Sequence, residues 1–263
     1  MARSALLNVM VQAAMKAGRS LSRDFGEVQN LQVSLKGPGD YVSQADRKAE
    51  DIVYTELSRA RPGYSFLMEE RGEVAGDDGQ HRWIVDPLDG TTNFLHGIPI
   101  FAISIALERQ GQLVAGVIYN PAMDELYTAE RGGGAFMNDR RMRVAARRKL
   151  SDAVIGTGIP HLGRGHHGHA LVDLRNVMGE TAGIRRLGAA SLDLAYVAAG
   201  RMDGFWEDWL APWDMAAGIL MVREAGGFAS DRDGGQDMFD SGAIVVGNED
   251  IHKALLTTLR KPA

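Results

Sequence analysis

The stretch Trp83–Phe94, reading Trp-Ile-Val-Asp-Pro-Leu-Asp-Gly-Thr-Thr-Asn-Phe, constrains this chain more than any other. Trp83, Ile84 and Val85 form a short apolar, β-prone run and read as the end of a buried strand. Asp86 follows, and Pro87 then bars continuation as a central strand. Asp86 and Asp89 are thereby delivered to the carboxyl end of a strand, where open α/β sheets place ligand sites. Gly90, Thr91, Thr92 and Asn93 are residues of the kind that open a helix. Backbone N–H groups at a helix start bind anions such as phosphate. One stretch therefore offers hard oxygen ligands for a cation beside an amide nest for an anion. A divalent metal holding a phosphate ester satisfies both halves. An isolated Asp-Pro-x-Asp-Gly would read as a plain turn.

Composition narrows the chemistry. The 263 residues suffice for a sizeable core. The chain has no cysteine, so disulfides, thiolate metal sites and thiol nucleophiles are excluded, and a metal here is held by oxygen or imidazole. A net charge of −5 does not suggest a general polyanion-binding surface. No apolar run approaches the ~20 residues of a membrane span. Residues 1–23 alternate apolar and polar positions and read as an amphipathic helix rather than a signal peptide, so a cytoplasmic location is expected.

Along the chain, helical spacing predicts helices over 4–23, about 46–60, 171–178, 191–199, from 214 and from about 249. Strands are expected at 64–68, 83–85, 100–107, 113–119, 124–128, 134–144, 184–187, 204–206 and 243–247. Residues 36–40 and 72–80 read as loops, the second exposed and mobile. Long hairpins mixed with βα units imply a layered α/β architecture with a substantial antiparallel component. Asp46 and Asp214 each sit near a helix start, where an N-cap alone is worth about 1 kcal/mol. Of the adjacent Glu69 and Glu70 at a strand end, only one can point into a given site. Gly132-Gly133-Gly134 lacks the Gly-Lys-Ser/Thr of a phosphate loop and reads as a turn. Arg140, Arg141, Arg143, Arg147, Arg148 and Lys149 form a basic run that reads as a solvated face or as a patch for an acidic partner or RNA, without aromatics for base stacking. His161, His166, His167 and His169 lie among Gly163, Gly165 and Gly168 and read as a loose exposed loop, although a transition-metal site is conceivable.

The twelve-residue string resembles the signature of the inositol monophosphatase family. Further family-like segments lie near 36–50, 67–70, 184–200 and 204–227, so the resemblance covers nearly the whole chain. It implies an α-β-α-β-α sandwich forming a single domain over 1–263, with a subdivision near 150 between a metal-signature half and a substrate-lining half. It implies Mg²⁺, two or three ions per site, as cofactor. Glu69, Asp86, Asp89 and the main-chain carbonyl of Leu88 would hold one ion, and Asp214, in a segment similar to the family's second signature, would join Asp86 and Asp89 on another. So many carboxylates could not share a site without cations, since like charges would force protonation. Ser43-Gln44-Ala45-Asp46 looks like the segment whose aspartate orients water with Thr91. Glu70 would act indirectly, and Lys36 matches a lysine near the site. Gly90 and Thr91 would cradle phosphate. Ala190 and Glu207, with Glu69, Asp89 and Asp214, would contact the substrate, a small phosphorylated polyol. Relatives usually carry Ser or Thr where this chain has Ala189, which leaves the substrate open among inositol monophosphate, fructose 1,6-bisphosphate, 3′-phosphoadenosine compounds and histidinol phosphate. The resemblance further implies Li⁺ sensitivity, a homodimer, no membrane association, and, as in some bacterial relatives, an RNA polymerase or RNA association.

Overall fold

The computed structural model describes residues 3–27, 33–37, 40–163 and 165–262. In chain order come α1 (Ala5–Phe25), β1 (Val33–Gly37), β2 (Asp40–Ser43), α2 (Gln44–Ala60), β3 (Ser65–Met68), β4 (Gly72–Val74), β5 (His81–Asp89) and α3 (Thr91–Leu95). The hairpin strands β6 (Ala102–Arg109), β7 (Gln112–Asn120), β8 (Glu125–Glu130), β9 (Gly134–Met137) and β10 (Arg140–Arg141) follow. The rest is β11 (Val154–Thr157), α4 (His167–Met178), β12 (Gly183–Arg185), α5 (Ala190–Ala198), β13 (Gly204–Glu207), α6 (Pro212–Glu224), β14 (Phe228–Ser230), α7 (Met238–Ser241), β15 (Ile244–Gly247) and α8 (Glu249–Leu259).

An eight-stranded sheet runs β10-β9-β8-β7-β6-β5-β3-β4, and a five-stranded sheet runs β12-β11-β13-β15-β14. Strand periodicity assigns each face. In β5 to β7, Trp83, Val85, Ile103, Ile105, Leu107, Val117 and Tyr119 pack with the apolar stripe of α1 and α2, including Met10, Ala14, Leu21, Ala49 and Val53. The alternate residues Ile84, Ala102, Ala106 and Ile118 pack with α5 and α6. Both faces are covered, which is why these strands read as continuous apolar runs. Phe205, Ala229 and Val246 close the same middle layer from the second sheet. On that sheet's far face, Ile155, Trp206 and Val245 meet Val177 of α4 and Ile251 and Leu255 of α8. The order of layers is thus α-β-α-β-α. α1 approaches β7 so closely that a Cβ at Gly18 would stand 2.5 Å from a Tyr119 ring carbon. Among the described residues no helix is long and apolar enough to cross a membrane.

Several boundaries differ from the sequence expectation. Of the expected loop 36–40, Lys36 and Gly37 end β1 and Asp40 begins β2, and the two strands pair antiparallel; residues 38–39 and the side chain of Lys36 lie outside the described residues. Gly72–Val74 pairs with β3, so part of the expected mobile loop is an edge strand. The strand expected over 134–144 is a tight hairpin of β9 and β10. α4 starts at His167, four residues early, because the His166 ring accepts from His169 N and caps it; His167 and His169 are therefore helical.

The largest departure is at Pro87, which does not end β5. The strand pairs with β6 at Asp86↔Ser104 and again at Asp89↔Ala102. Three steps on β5 match two on β6, a bulge in which proline is tolerated. Its pairing with β3 stops at Val85, so Pro87 owes that neighbour no N–H.

Candidate active site

The bulge decides where the carboxylates go. In a regular strand, residues three apart point to opposite faces. The extra residue between Asp86 and Asp89 returns Asp89 to the same side, and Ser104 and Ala102, their partners two apart, confirm the shared face. That face looks into the middle layer. Ser104 Oγ donates to Trp213 O at 3.2 Å, docking the start of α6 beside Asp86. Asp214, in the first turn of α6, accepts from Ala211 N at 2.7 Å, so it also caps the helix. Oxygens of Asp86, Asp89 and Asp214 then lie within 4.8 Å of one another.

Asp86 is buried at 2% exposure, and its Oδ1 accepts from Leu88 N at 2.9 Å. Burial drives its pKa well above the ordinary carboxylate range, and the charges of Glu69, Asp89 and Asp214 push in the same direction. Such a cluster of hard oxygen donors suits a divalent cation, which relieves both burial and repulsion. The donor chemistry therefore fits a metal.

Glu69, Leu88, Asp89, Gly90, Thr91, Ala190, Glu207 and Asp214 line one cleft of about 290 Å³ with Asp86. Asp46 and Glu70 do not line it. Asp46, fully buried as the third residue of α2, accepts from Thr91 Oγ1 at 2.9 Å, and the same hydroxyl lies 3.0 Å from Leu88 O. Glu70 N donates to Glu50 Oε2 at 2.8 Å, with Arg71 3.4 Å from the other Glu50 oxygen. α3 is only five residues long and starts from Gly90 at φ 90°. Any phosphate contact there depends on individual N–H groups rather than on a long helix dipole.

Sequence reasoning missed four contributors. Ser191 N and Oγ donate to Asp89 Oδ2 at 2.7 and 2.5 Å. α5 begins at Ala189 without a side-chain cap, and the Asp89 carboxylate from β5 fills that role across the cleft. Asn93 Nδ2 donates to Ile100 O and Leu187 O, both at 2.8 Å, tying α3 to the loop before α5. Among the described residues Arg186 is the only Lys or Arg on the cleft wall. Asp193 is buried behind the wall; burial raises its pKa strongly, the charges of Glu207 and Asp89 add to this, and Arg186 opposes it. Asn93 lies within the twelve-residue string and Ser191 within the family-like segment 184–200, but the partners that give them their roles, Leu187 and Asp89, are far away in sequence.

A second acidic group, His169, Asp173 and Asp208, also lies within 4.8 Å. Arg232 already bridges it, at 2.5 Å to Asp173 and 2.9 Å to Asp208, so it reads as an ion network.

Glu50 yields a stability prediction. Burial lifts its pKa to about 7, aided by the charge of Glu70 and opposed by the Glu70 N–H bond and Arg71. A raised carboxyl pKa favours the protonated folded state. The penalty is absent below the unfolded pKa and grows as pH rises through about 7. Glu50→Gln keeps an acceptor for Glu70 N. It should raise the melting temperature at about pH 8 and leave it unchanged at about pH 4, as followed by thermal unfolding in chelator.

Comparison with known proteins agrees with this architecture. The profile of the inositol monophosphatase family matches residues 2–262. A Mesorhizobium japonicum protein named inositol-1-monophosphatase is 80% identical, covering 100% of this chain and 98% of its own. The Pseudomonas aeruginosa protein named Nus factor SuhB is 46% identical, covering 97% and 96%. The crystal structure of extragenic suppressor protein suhB from Bartonella henselae superposes with a TM-score of 0.97 at 70% identity, covering 99% of this chain and 100% of that one. A profile match over 2–262 and similarity of this depth across whole chains show that this protein belongs to the inositol monophosphatase family.

Proposed function

We propose that the chain is a Mg²⁺-dependent phosphomonoesterase that releases phosphate from myo-inositol monophosphate or a similar polyol phosphate. The observation that carries this reading is the convergence of Asp86, Asp89 and Asp214 within 4.8 Å, on a cleft that also contains Glu207 and Ala190. Glu69, Asp86, Asp89, the Leu88 carbonyl and Asp214 would hold the ions. Bound Mg²⁺ supplies a water of lowered pKa and stabilises charge on the phosphoryl and leaving oxygens.

The chain's own residues do the rest. Thr91 Oγ1 donates its proton to Asp46, which leaves its lone pairs on the cleft side to accept from the attacking water. Asp46 is thus a positioning residue acting through Thr91, and Glu70 acts one step behind Glu69. Gly90 and Thr91 N–H groups contact phosphate oxygens, and Arg186 balances the charge of the ester. Glu207 and the main chain at Ala190 take polyol hydroxyls, while Ser191 keeps Asp89 aimed. Water attacks phosphorus in line, the P–O bond to the polyol breaks, and the departing oxygen takes up a proton. The products are polyol and inorganic phosphate, with no covalent phosphoenzyme.

The test is phosphate release from myo-inositol 1-phosphate, glycerol 2-phosphate, fructose 1,6-bisphosphate, 3′-phosphoadenosine 5′-phosphate and histidinol phosphate, each with Mg²⁺, with EDTA, and with Mg²⁺ plus Li⁺. Inositol phosphate turnover that needs Mg²⁺ and falls with Li⁺ is expected. Metal-dependent turnover of another ester alone would move the substrate assignment, and no metal-dependent release from any would overturn the reading.

A second reading rests on the relative named Nus factor SuhB and on the basic run. Arg147 and Arg148 are exposed but paired with Asp203 and Asp250 at 3.1 and 2.5 Å, and Arg140, Arg141, Arg143 and Lys149 are exposed as well. RNA or RNA polymerase association would then be salt-sensitive and lost when those four are changed to Ala. The family resemblance also supports a homodimer, which sedimentation mass would test.

A further inference from the structure

Trp209 has a φ of +69°, in the left-handed region, which is a genuine outlier for a bulky side chain. Both of its neighbours are tied down. Asp208 is held by Arg232 at 2.9 Å, and Arg232 is anchored in turn on Asp173 at 2.5 Å. Leu210 N donates to Gly242 O at 2.8 Å. These contacts over-determine the backbone between them, the condition under which strained residues persist, and such residues cluster at ligand sites.

The strained turn places an indole 57% exposed to solvent on the wall of the catalytic cleft, two residues beyond Glu207. Its edge lies over Gly165, where a Cβ would stand 3.3 Å from Trp209 Cδ1 and 2.8 Å from Pro160 Cβ. Ile159 and Leu171, also exposed, line the same cleft. A cyclitol phosphate carries hydroxyls around its ring and gives such a wall little to bury. Exposed apolar patches rimmed by polar groups mark binding surfaces.

We propose that Trp209 is a specificity-determining residue that stacks on a planar apolar group of the leaving alcohol, so that the substrate class extends to phosphate monoesters of alcohols bearing an aromatic ring. This rests on the phosphatase reading above. The test compares kcat and KM of the wild type, Trp209→Gly and Trp209→Phe on benzyl phosphate and glycerol 2-phosphate. Trp209→Gly relieves the left-handed strain, so its folding is not at risk. It should lower kcat/KM for benzyl phosphate about tenfold, through KM, and leave glycerol 2-phosphate within about twofold. Trp209→Phe should retain most of the benzyl preference. Equal losses on both esters, or no loss, would overturn the proposal. If the wild type turns over neither ester, the phosphatase reading fails separately, and calorimetric titration with benzyl phosphate still decides: weaker binding to Trp209→Gly supports the stacking role, and equal binding removes it.

Discussion

Asp86→Asn should lower kcat/KM on inositol phosphate by about a thousandfold or more and, in the same protein, raise the melting temperature measured in EDTA. The first effect follows if Asp86 is shared between the cations, since loss of several kcal/mol of charge stabilisation corresponds to several factors of ten. The second follows from the site without metal. Asp86 is buried against Glu69, Asp89 and Asp214, and its pKa is raised chiefly by burial. A raised carboxyl pKa means a destabilising contribution that is absent at low pH and present at neutral pH. Asn is neutral, similar in shape, and its carbonyl oxygen can still accept from Leu88 N. Each kcal/mol relieved should move the midpoint by about 2 °C for a chain of this size. Mg²⁺ should then stabilise the wild type, by linkage, far more than the variant. Near-normal turnover at limiting Mg²⁺, or a lower midpoint in EDTA, would sink the assignment.

That opposition between function and stability explains how much of the site was legible. Asp86 and Asp89 stand out locally because carboxylates at the end of a buried apolar run are costly, whereas Glu69 and Asp214 are marked only by the family resemblance, Asp214 otherwise reading as an N-cap. The strands through Ile103, Ile105 and Val117 were equally legible, since both of their faces are covered. The bulge was not. Proline suggested a strand end, whereas only the pairing of Asp86 with Ser104 and Asp89 with Ala102 shows the strand continuing. Ser191 lies at the start of the helix predicted over 191–199, and its partner is Asp89, in a different layer. Trp209 has no sequence signal, because the partners that hold its neighbours Asp208 and Leu210, Arg232 and Gly242, lie farther along the chain. What sequence lacks here is the identity of distant partners, and those partners aim the side chains that sequence does reveal.

Gly90→Ala should cost about 3 kcal/mol of stability and about a hundredfold in kcat. Gly90 has φ 90° and ψ 34°, where an L side chain alone costs about 1–2 kcal/mol. The new Cβ would also stand 2.9 Å from Ile100 O and 3.2 Å from Ala189 Cβ. Ile100 O cannot swing aside freely, because Asn93 Nδ2 donates to it at 2.8 Å and binds Leu187 O with the same group. Displacing it would move Asn93, α3 and the loop before α5 together, and with them Thr91 and Asp89. A displacement of about 1 Å among catalytic groups is enough for the activity loss. Thermal unfolding of Gly90→Ala, Ala189→Gly and the double variant separates the two causes. If crowding against Ala189 contributes, the double variant should recover part of the loss and the cycle should show favourable coupling. Strict additivity would assign the cost to the left-handed backbone and to Ile100 O alone. An unchanged midpoint in Gly90→Ala would mean that the turn after Asp89 yields easily, and that the backbone N–H groups proposed to hold phosphate are not rigidly placed.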